Sequence, residues 1–280
     1  MPGPLHLEHN FFARLDTTSA GPDDYWIACC RWTEEKYRSL GVGPERVSLS
    51  YPGTDLDTFR ATARQNLRRE LSISKETPLV GMACYMYAPK RFLGQSEGLK
   101  GHEDFIAALQ IARRKRPEIR GVIIGGAWNG AGNYEKYLRE LGRRACNDSL
   151  TFLGTRSDVP ALYPDLDLAV IASHSENVGG AVEPLLSGVP VVATNVGGLP
   201  DLVHHGVSGR LVPPHNPEAL AQAILWSLEN PAETRRLAIE GQKLARRLFN
   251  VNTTAREVAT IYAKLRDGAR SGRTSYEPAN

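Results

Sequence analysis

Short apolar runs bounded by Gly, Pro or Asp alternate along this chain with longer stretches of helical periodicity. The runs at 26–29, 47–51, 79–83, 121–124, 150–153, 168–171, 189–193 and 210–212 are rich in Val and Ile. They read as strands buried on both faces. Within 102–113, apolar residues fall at 105, 106, 109 and 111; within 134–145 they fall at 134, 137, 138, 141 and 145. That spacing puts them on one face of a helix. From Pro217 onward the pattern predicts helices over 218–229, 232–248 and 253–265. Strands alternating with helices predict an α/β fold, a doubly wound parallel sheet of Rossmann-like type. The aperiodic stretch 54–60 marks a boundary, with a new helix starting around Ala63. Residues 1–57 have room for one or two βα units, whereas 58–266 suffice for a complete doubly wound domain. Residues 267–280 are polar, with Gly, Arg and Ser, and predict a flexible tail.

Composition narrows the function classes. Of 280 residues, 41% are hydrophobic and 23% charged, which excludes a disordered chain. The formal net charge of +3 is too small to be the electrostatic footprint of a nucleic-acid-binding protein. The four cysteines show no C-x-x-C spacing, and reduced thiols in a cytoplasmic protein are expected. The amino-terminal MPGPLHLEHNFFARLD carries His, Glu and Arg where a signal peptide needs an apolar core. No run approaches the ~18 apolar residues of a spanning helix, so no transmembrane segment is expected. Peripheral membrane contact stays open.

The most informative stretch is 173–201, SHSENVGGAVEPLLSGVPVVATNVGGLPD. It follows the run 168–171, and ligands of open α/β sheets bind at the carboxyl ends of the strands. Gly179 and Gly180 permit close backbone approach. Pro184 is tolerated only in a first turn, so the helix begins near Ala181 and its free N–H groups favour an anion such as a diphosphate. Glu183 faces neutral hydroxyls, such as a sugar's vicinal diol, or else is a solvated first-turn residue stabilised by the helix dipole. Lys100, in Leu99-Lys100-Gly101-His102, stands at a strand-to-helix junction of the same sheet edge. It is placed to reach a phosphate or is a solvated surface lysine. Thr194-Asn195-Val196-Gly197-Gly198 adds two flexible backbone positions past another strand end.

Other chemistries are excluded. The glycine-rich 125–132 has Ala131 where a P-loop needs Lys, and it lacks the G-x-G-x-x-G spacing. No G-x-S-x-G elbow, H-E-x-x-H or zinc-spaced Cys/His cluster occurs, and no metal is expected. The aromatic residues do not alternate with basic ones as an RNA-reading surface would require.

From about Tyr25 to Leu265 the sequence resembles the retaining glycosyltransferases of the GT-B fold, family 4. The run VSLSYPGTDLDTF at 47–59 resembles the interdomain connection, and Lys100-Gly101 the Lys-Gly of the donor-phosphate site. Phe152-Leu153-Gly154 is similar to the strand whose following loop lies by the nucleotide base. Glu176 to Glu183 resembles the paired-glutamate motif, and SGVPVVAT at 187–194 the G-x-P-V-V-A-T after it. Asn195 to Asp201 is similar to the GG-x-P-E turn, and GRLVPP at 209–214 to the G-x-L-V-P-P strand.

The resemblance implies a GT-B carboxy-terminal domain, preceded in 1–57 by a remnant of the amino-terminal acceptor-side domain and the connection. It implies transfer of a hexose from a nucleoside-diphosphate sugar (a UDP- or GDP-sugar) with retention, and no cofactor. Lys100 would neutralise the diphosphate and Glu176 would sit against the transferred sugar; both are the catalytic candidates. Donor contacts are implied for Lys90 or Arg91, Gly154, Asn177, Gly179, Gly180, Ala181, Glu183, Gly197 and Gly198. Six residues separate the two glutamates where the family usually has seven, and the family's Arg shortly before the Lys is represented only by Lys90 or Arg91. Most of the amino-terminal domain is missing, so the missing part or a partner chain is expected to complete the enzyme. A non-catalytic sugar-nucleotide-binding subunit and a related GT-B epimerase or phosphorylase are the alternatives. The sequence names no acceptor.

Overall fold

The computed structural model describes residues 7–10, 24–59, 66–179 and 182–271. They divide into two compact units, the cuts falling after Leu56 and after Arg246.

In the smaller unit three parallel strands lie in the order β1 (Leu7–Asn10), β2 (Tyr25–Ala28), β3 (Val47–Leu49). The helix α1 (Arg31–Ser39) lies between β2 and β3 and buries Thr33 and Tyr37. Trp26, Ala28, Tyr37, Val42 and Val47 form the core of this unit. Neither β1 nor α1 is predicted by the apolar pattern, because α1 carries five charged side chains along nine residues and little apolar periodicity.

The larger unit runs α2 (Asn66–Glu70), β4 (Leu79–Ala83), α3 (His102–Lys115), β5 (Arg120–Ile124), α4 (Gly132–Cys146) and β6 (Leu150–Gly154). It continues through α5 (Val159–Leu162), β7 (Leu168–Ile171), α6 (Val182–Leu186), β8 (Val191–Thr194) and α7 (Leu199–Leu202). The strand β9 (Arg210–Val212) and helices α8 (Pro217–Glu229) and α9 (Pro231–Leu248) complete it. All six strands are parallel in the order β6-β5-β4-β7-β8-β9, as a doubly wound sheet requires. The chain reverses direction across the sheet between β4 and β7, and a crevice opens at such a switch point. Helices α3, α4 and α8 bury Phe105, Leu109, Leu138 and Ile224 in one continuous core with Val80, Ile123 and Val170 of the sheet. On α9, Gly241 leaves room only for Leu185 and the Ser208 carbonyl, and Gln242 Nε2 donates to the Leu186 carbonyl at 2.9 Å.

Arg68 of α2 ties the start of this unit to its centre. Its guanidinium donates to the carbonyls of Asp165 (2.9 Å), Ser74 (2.7 Å) and Thr77 (2.9 Å), and to the Asp167 carboxylate (2.7 Å).

Several boundaries differ from the sequence reading, among them the strand read at 47–51, which ends at Leu49. The strand predicted at 189–193 starts at Val191, because Pro190 lacks the N–H that a central strand needs. The domain predicted to run to 266 ends at Arg246. The helix α10 (Val251–Ser271) belongs to the smaller unit, where Thr254 Oγ1 donates to the Tyr51 carbonyl at 2.9 Å and Ser50 Oγ to Glu257 at 3.0 Å. The predicted tail at 267–280 is helical as far as Ser271, beyond which the chain lies outside the described residues. Likewise, the start near Ala63 of the predicted helix lies outside them.

Candidate active site

Two loops meet at the carboxyl edge of the sheet, one leaving β4 and one leaving β7. The first reaches α3 through Leu99-Lys100-Gly101. Gly101 has φ +67°, and a Cβ there would run into the carbonyl of Ala172. Only glycine lets the two loops close to this distance. A main-chain bond from His174 N to the Leu99 carbonyl, 2.9 Å, fastens them. Glu103 anchors the loop from the α3 side: Tyr134 Oη donates to both its carboxylate oxygens at 2.8 Å, and Gly98 N to one at 3.4 Å.

This closure puts the Lys100 ammonium on the Glu176 carboxylate, which also accepts from Ser173 Oγ at 3.2 Å. Side-chain exposures of 18% and 10% exclude the solvated-lysine reading. Burial is the largest single influence and pulls the Lys100 pKa down, but the charge and hydrogen bond of Glu176 together with Cys84 and Tyr87 outweigh it, and the net shift is upward. Lys100 is therefore a fixed cation. It stands on the wall of a cavity of about 440 Å³ shared with Cys84, Tyr85, Tyr87, Thr155, Arg156 and Glu183. A narrow cleft lined by Lys100, Ser173 and Glu176 adjoins it.

Glu183, in the first turn of α6, is half-buried, and one carboxylate oxygen accepts from Tyr163 Oη at 3.1 Å. Burial raises its pKa, and the tyrosine bond opposes that. Cys84 is no nucleophile here, since burial pushes its thiol up to about 12 against the pull of Lys100. None of the four cysteines, all among the described residues, forms a disulfide. Behind Lys100, His102 is fully buried, and burial together with the Lys100 charge lowers its pKa to about 3.

The turn 194–198 closes on the same place. Gly197, at φ +52°, passes against the Glu176 carbonyl, and Gly198 N donates to that carbonyl at 3.1 Å. Asn177 lies half-buried in the turn after Glu176, and Gly179 is exposed. Gly180 and Ala181 lie outside the described residues. Gly154 ends β6 at φ +69°; its carbonyl accepts from Gly125 N at 2.8 Å, directly before the wall residues Thr155 and Arg156.

Lys90 and Arg91 are not brought to the cavity. Both are exposed, in a loop that turns at the short helical segment Arg91–Leu93 and at Gly94, φ +76°. The second cation on the wall is Arg156, which pairs with Asp158 (2.7 Å) and Glu70 (2.8 Å). The sequence reading misses Arg156, Tyr85 and Tyr87; the strand ending Phe-Leu-Gly was the signal for the first. The rings of Tyr85 and Trp128 lie 4.8 Å apart between centroids, tilted by 53°, and the Lys100 ammonium lies 6.0 Å from the Tyr87 ring.

On another side of the Lys100 loop, Glu97, Asp104, His174 and His215 gather one ligand-type atom each within 4.8 Å. They come from four separate segments, so no spacing in the sequence announces them. A larger hollow of about 640 Å³ is lined by Pro78, Asp167 and Pro190, at the amino ends of β4, β7 and β8. That is the opposite edge from the one where such sheets bind ligands.

The geometry joins a buried cation, a carboxylate shielded from water and a polar cavity, a combination suited to an anion linked to a polyol. Among the described residues, no helix is long and apolar enough to cross a membrane.

Comparison with known proteins points to one family. The family model described as Glycosyl transferases group 1 matches residues 91–244. The D-inositol 3-phosphate glycosyltransferase of Thermobispora bispora is 31% identical over 230 residues, 79% of this chain and 51% of the relative. That of Corynebacterium glutamicum is 30% identical over 244 residues, 82% and 55% respectively. This chain thus spans about half the length of the curated relatives it matches. Among solved structures, Anabaena HepE in complex with UDP superposes with a TM-score of 0.76 at 28% identity, covering 86% of this chain and 64% of HepE. HepE with UDP-glucose matches equally. Sucrose-phosphate synthase from Thermosynechococcus elongatus gives 0.75 at 25% identity, covering 94% of this chain and 68% of the synthase.

Proposed function

The chain belongs to the group 1 glycosyl transferases, and we propose from that premise that it binds a UDP-sugar and transfers the sugar with retention of configuration. One observation carries the proposal: Lys100, paired with Glu176, shares a single cavity with Glu183 at the switch point of the sheet.

In this reading the diphosphate lies against Lys100. Negative charge grows on the leaving phosphate as the glycosidic bond breaks, so a fixed cation there stabilises the transition state more than the bound donor. Glu176 both holds the ammonium and faces the sugar. Glu183 has one oxygen occupied by Tyr163 and receives the ribose diol with the remaining acceptor capacity. Thr155 and Arg156, past the Phe-Leu-Gly strand, border the base. The leaving phosphate takes the acceptor's proton on the face it departs from, which preserves the anomeric configuration. HepE in complex with UDP and with UDP-glucose supports uridine as the base. The names of the relatives make inositol 3-phosphate the first acceptor to assay.

Thermal shift and calorimetry with UDP, GDP and ADP test the binding. At a hundredfold excess over its Kd, UDP is expected to add about 2.7 kcal/mol of stability. Lys100→Ala is expected to remove most of that gain. Absence of stabilisation by all three nucleotides overturns the proposal. Anomeric analysis of product made from UDP-glucose separately decides retention.

A further inference from the structure

We propose that Glu97, Asp104, His174 and His215 form a binding site for a divalent cation of the zinc class, fastening the loop that carries Lys100 to the turn that carries Glu176. The inference goes beyond donor binding and does not depend on it, and it revises the expectation that the chain holds no metal.

His174 Nε2 lies 2.8 Å from Asp104 Oδ2 and 3.9 Å from Glu97 Oε2, and the same Glu97 oxygen lies 3.4 Å from His215 Nδ1. Ligand atoms of a tetrahedral zinc, at bond lengths of about 2.0–2.2 Å, stand about 3.3–3.6 Å apart. The 3.4 Å separation matches that spacing, the 2.8 Å pair would open by about 0.5 Å and the 3.9 Å pair close by about 0.3 Å, and all four ligand atoms lie within 4.8 Å of one another.

His174 Nε2 pairs with Asp104 Oδ2 at 2.8 Å and His215 Nδ1 with Glu97 Oε2 at 3.4 Å, and the same Glu97 oxygen lies 3.9 Å from His174 Nε2, so four ligand-type atoms from both pairs converge on one place. The two imidazole rings lie 3.7 Å apart between centroids. The cluster thus offers two imidazole nitrogens and two carboxylate oxygens to a divalent ion.

One side of the site is enclosed and the other open: the side chains of Asp104 and His174 are each 8% exposed, those of Glu97 and His215 37% and 60%, and His174 is set by its main-chain bond to Leu99. His215 approaches from the loop after β9 with φ +53°, a conformation that costs a non-glycine residue energy. Two nitrogen and two oxygen ligands suit zinc, cobalt or nickel better than magnesium or calcium, which prefer oxygen alone.

The test uses the full chain, stripped by chelator and titrated with Co²⁺. The expected result is one equivalent bound, with the strong visible bands of a four-coordinate ion, and displacement by Zn²⁺. His174→Ala and His215→Ala are each expected to weaken Co²⁺ binding by at least about tenfold. His205→Ala, outside the cluster, leaves it unchanged. His215 is exposed, so His215→Ala retains the urea midpoint of the metal-free wild type, while Zn²⁺ raises that midpoint in the wild type only. Failure to retain Co²⁺, a pale six-coordinate spectrum, or unaltered binding in both histidine variants overturns the site. None of these readouts involves nucleotide, so they stand apart from the fate of the donor-binding proposal.

Discussion

Gly101 and His102 show how single residues set the chemistry of their neighbour Lys100. Gly101→Ala forces a left-handed φ on alanine and drives its Cβ into the Ala172 carbonyl. A loss of about 3 kcal/mol is expected by urea denaturation with an unchanged m-value. His102 imposes a pH dependence. The unfolded imidazole takes a proton near pH ~6.5, whereas the buried one resists until about 3. Its contribution to stability is thus complete above the unfolded value and is lost as pH falls from there toward about 3. His102→Leu is expected to flatten denaturation midpoints across that window. Glu183 has the opposite sign. Burial raises its pKa, so its contribution is complete below the ordinary carboxylate range and is lost as pH rises through the folded value. Glu183→Gln is expected to raise the melting temperature of the ligand-free protein at neutral pH while weakening UDP binding by calorimetry.

At the scale of elements, the short helix α2 depends on one side chain. Arg68→Ala removes the donor for three carbonyls and one carboxylate. A loss of about 3 kcal/mol is expected in chemical denaturation. Nothing in the apolar pattern marks Arg68, because its role comes from partners about a hundred positions away at Asp165 and Asp167. The six strands of the larger sheet were legible for the opposite reason: strands covered on both faces must be continuously apolar, whatever their neighbours. Glu176, Glu183 and Lys100 stand after strand ends and line the cavity or the cleft beside it. Lys90 and Arg91 do not line the cavity, and a loop's length does not say which way it turns. Arg156 was missed because its neighbours Thr155 and Ser157 are ordinary loop residues. The Glu97–His215 cluster was invisible since four segments meet only in three dimensions.

For the molecule as a whole, the division after Leu56 and Arg246 predicts a localised response to ligand. With UDP bound, amide exchange is expected to slow at 98–104, 155–157, 173–179 and 196–199, with no change at 25–49 or 253–265. Uniform slowing across both units contradicts this assignment of the cavity. The pairing of Lys100 with Glu176 carries one more consequence. A lysine already matched by its own carboxylate is a poor host for orthophosphate or sulfate, which bring charge and nothing else. Only a guest that also engages distant walls, with a sugar ring and a base, repays the disturbance of that couple. Under the proposed reading, orthophosphate and sulfate are expected to compete weakly with the donor, a selectivity that resides in the ligand-free protein.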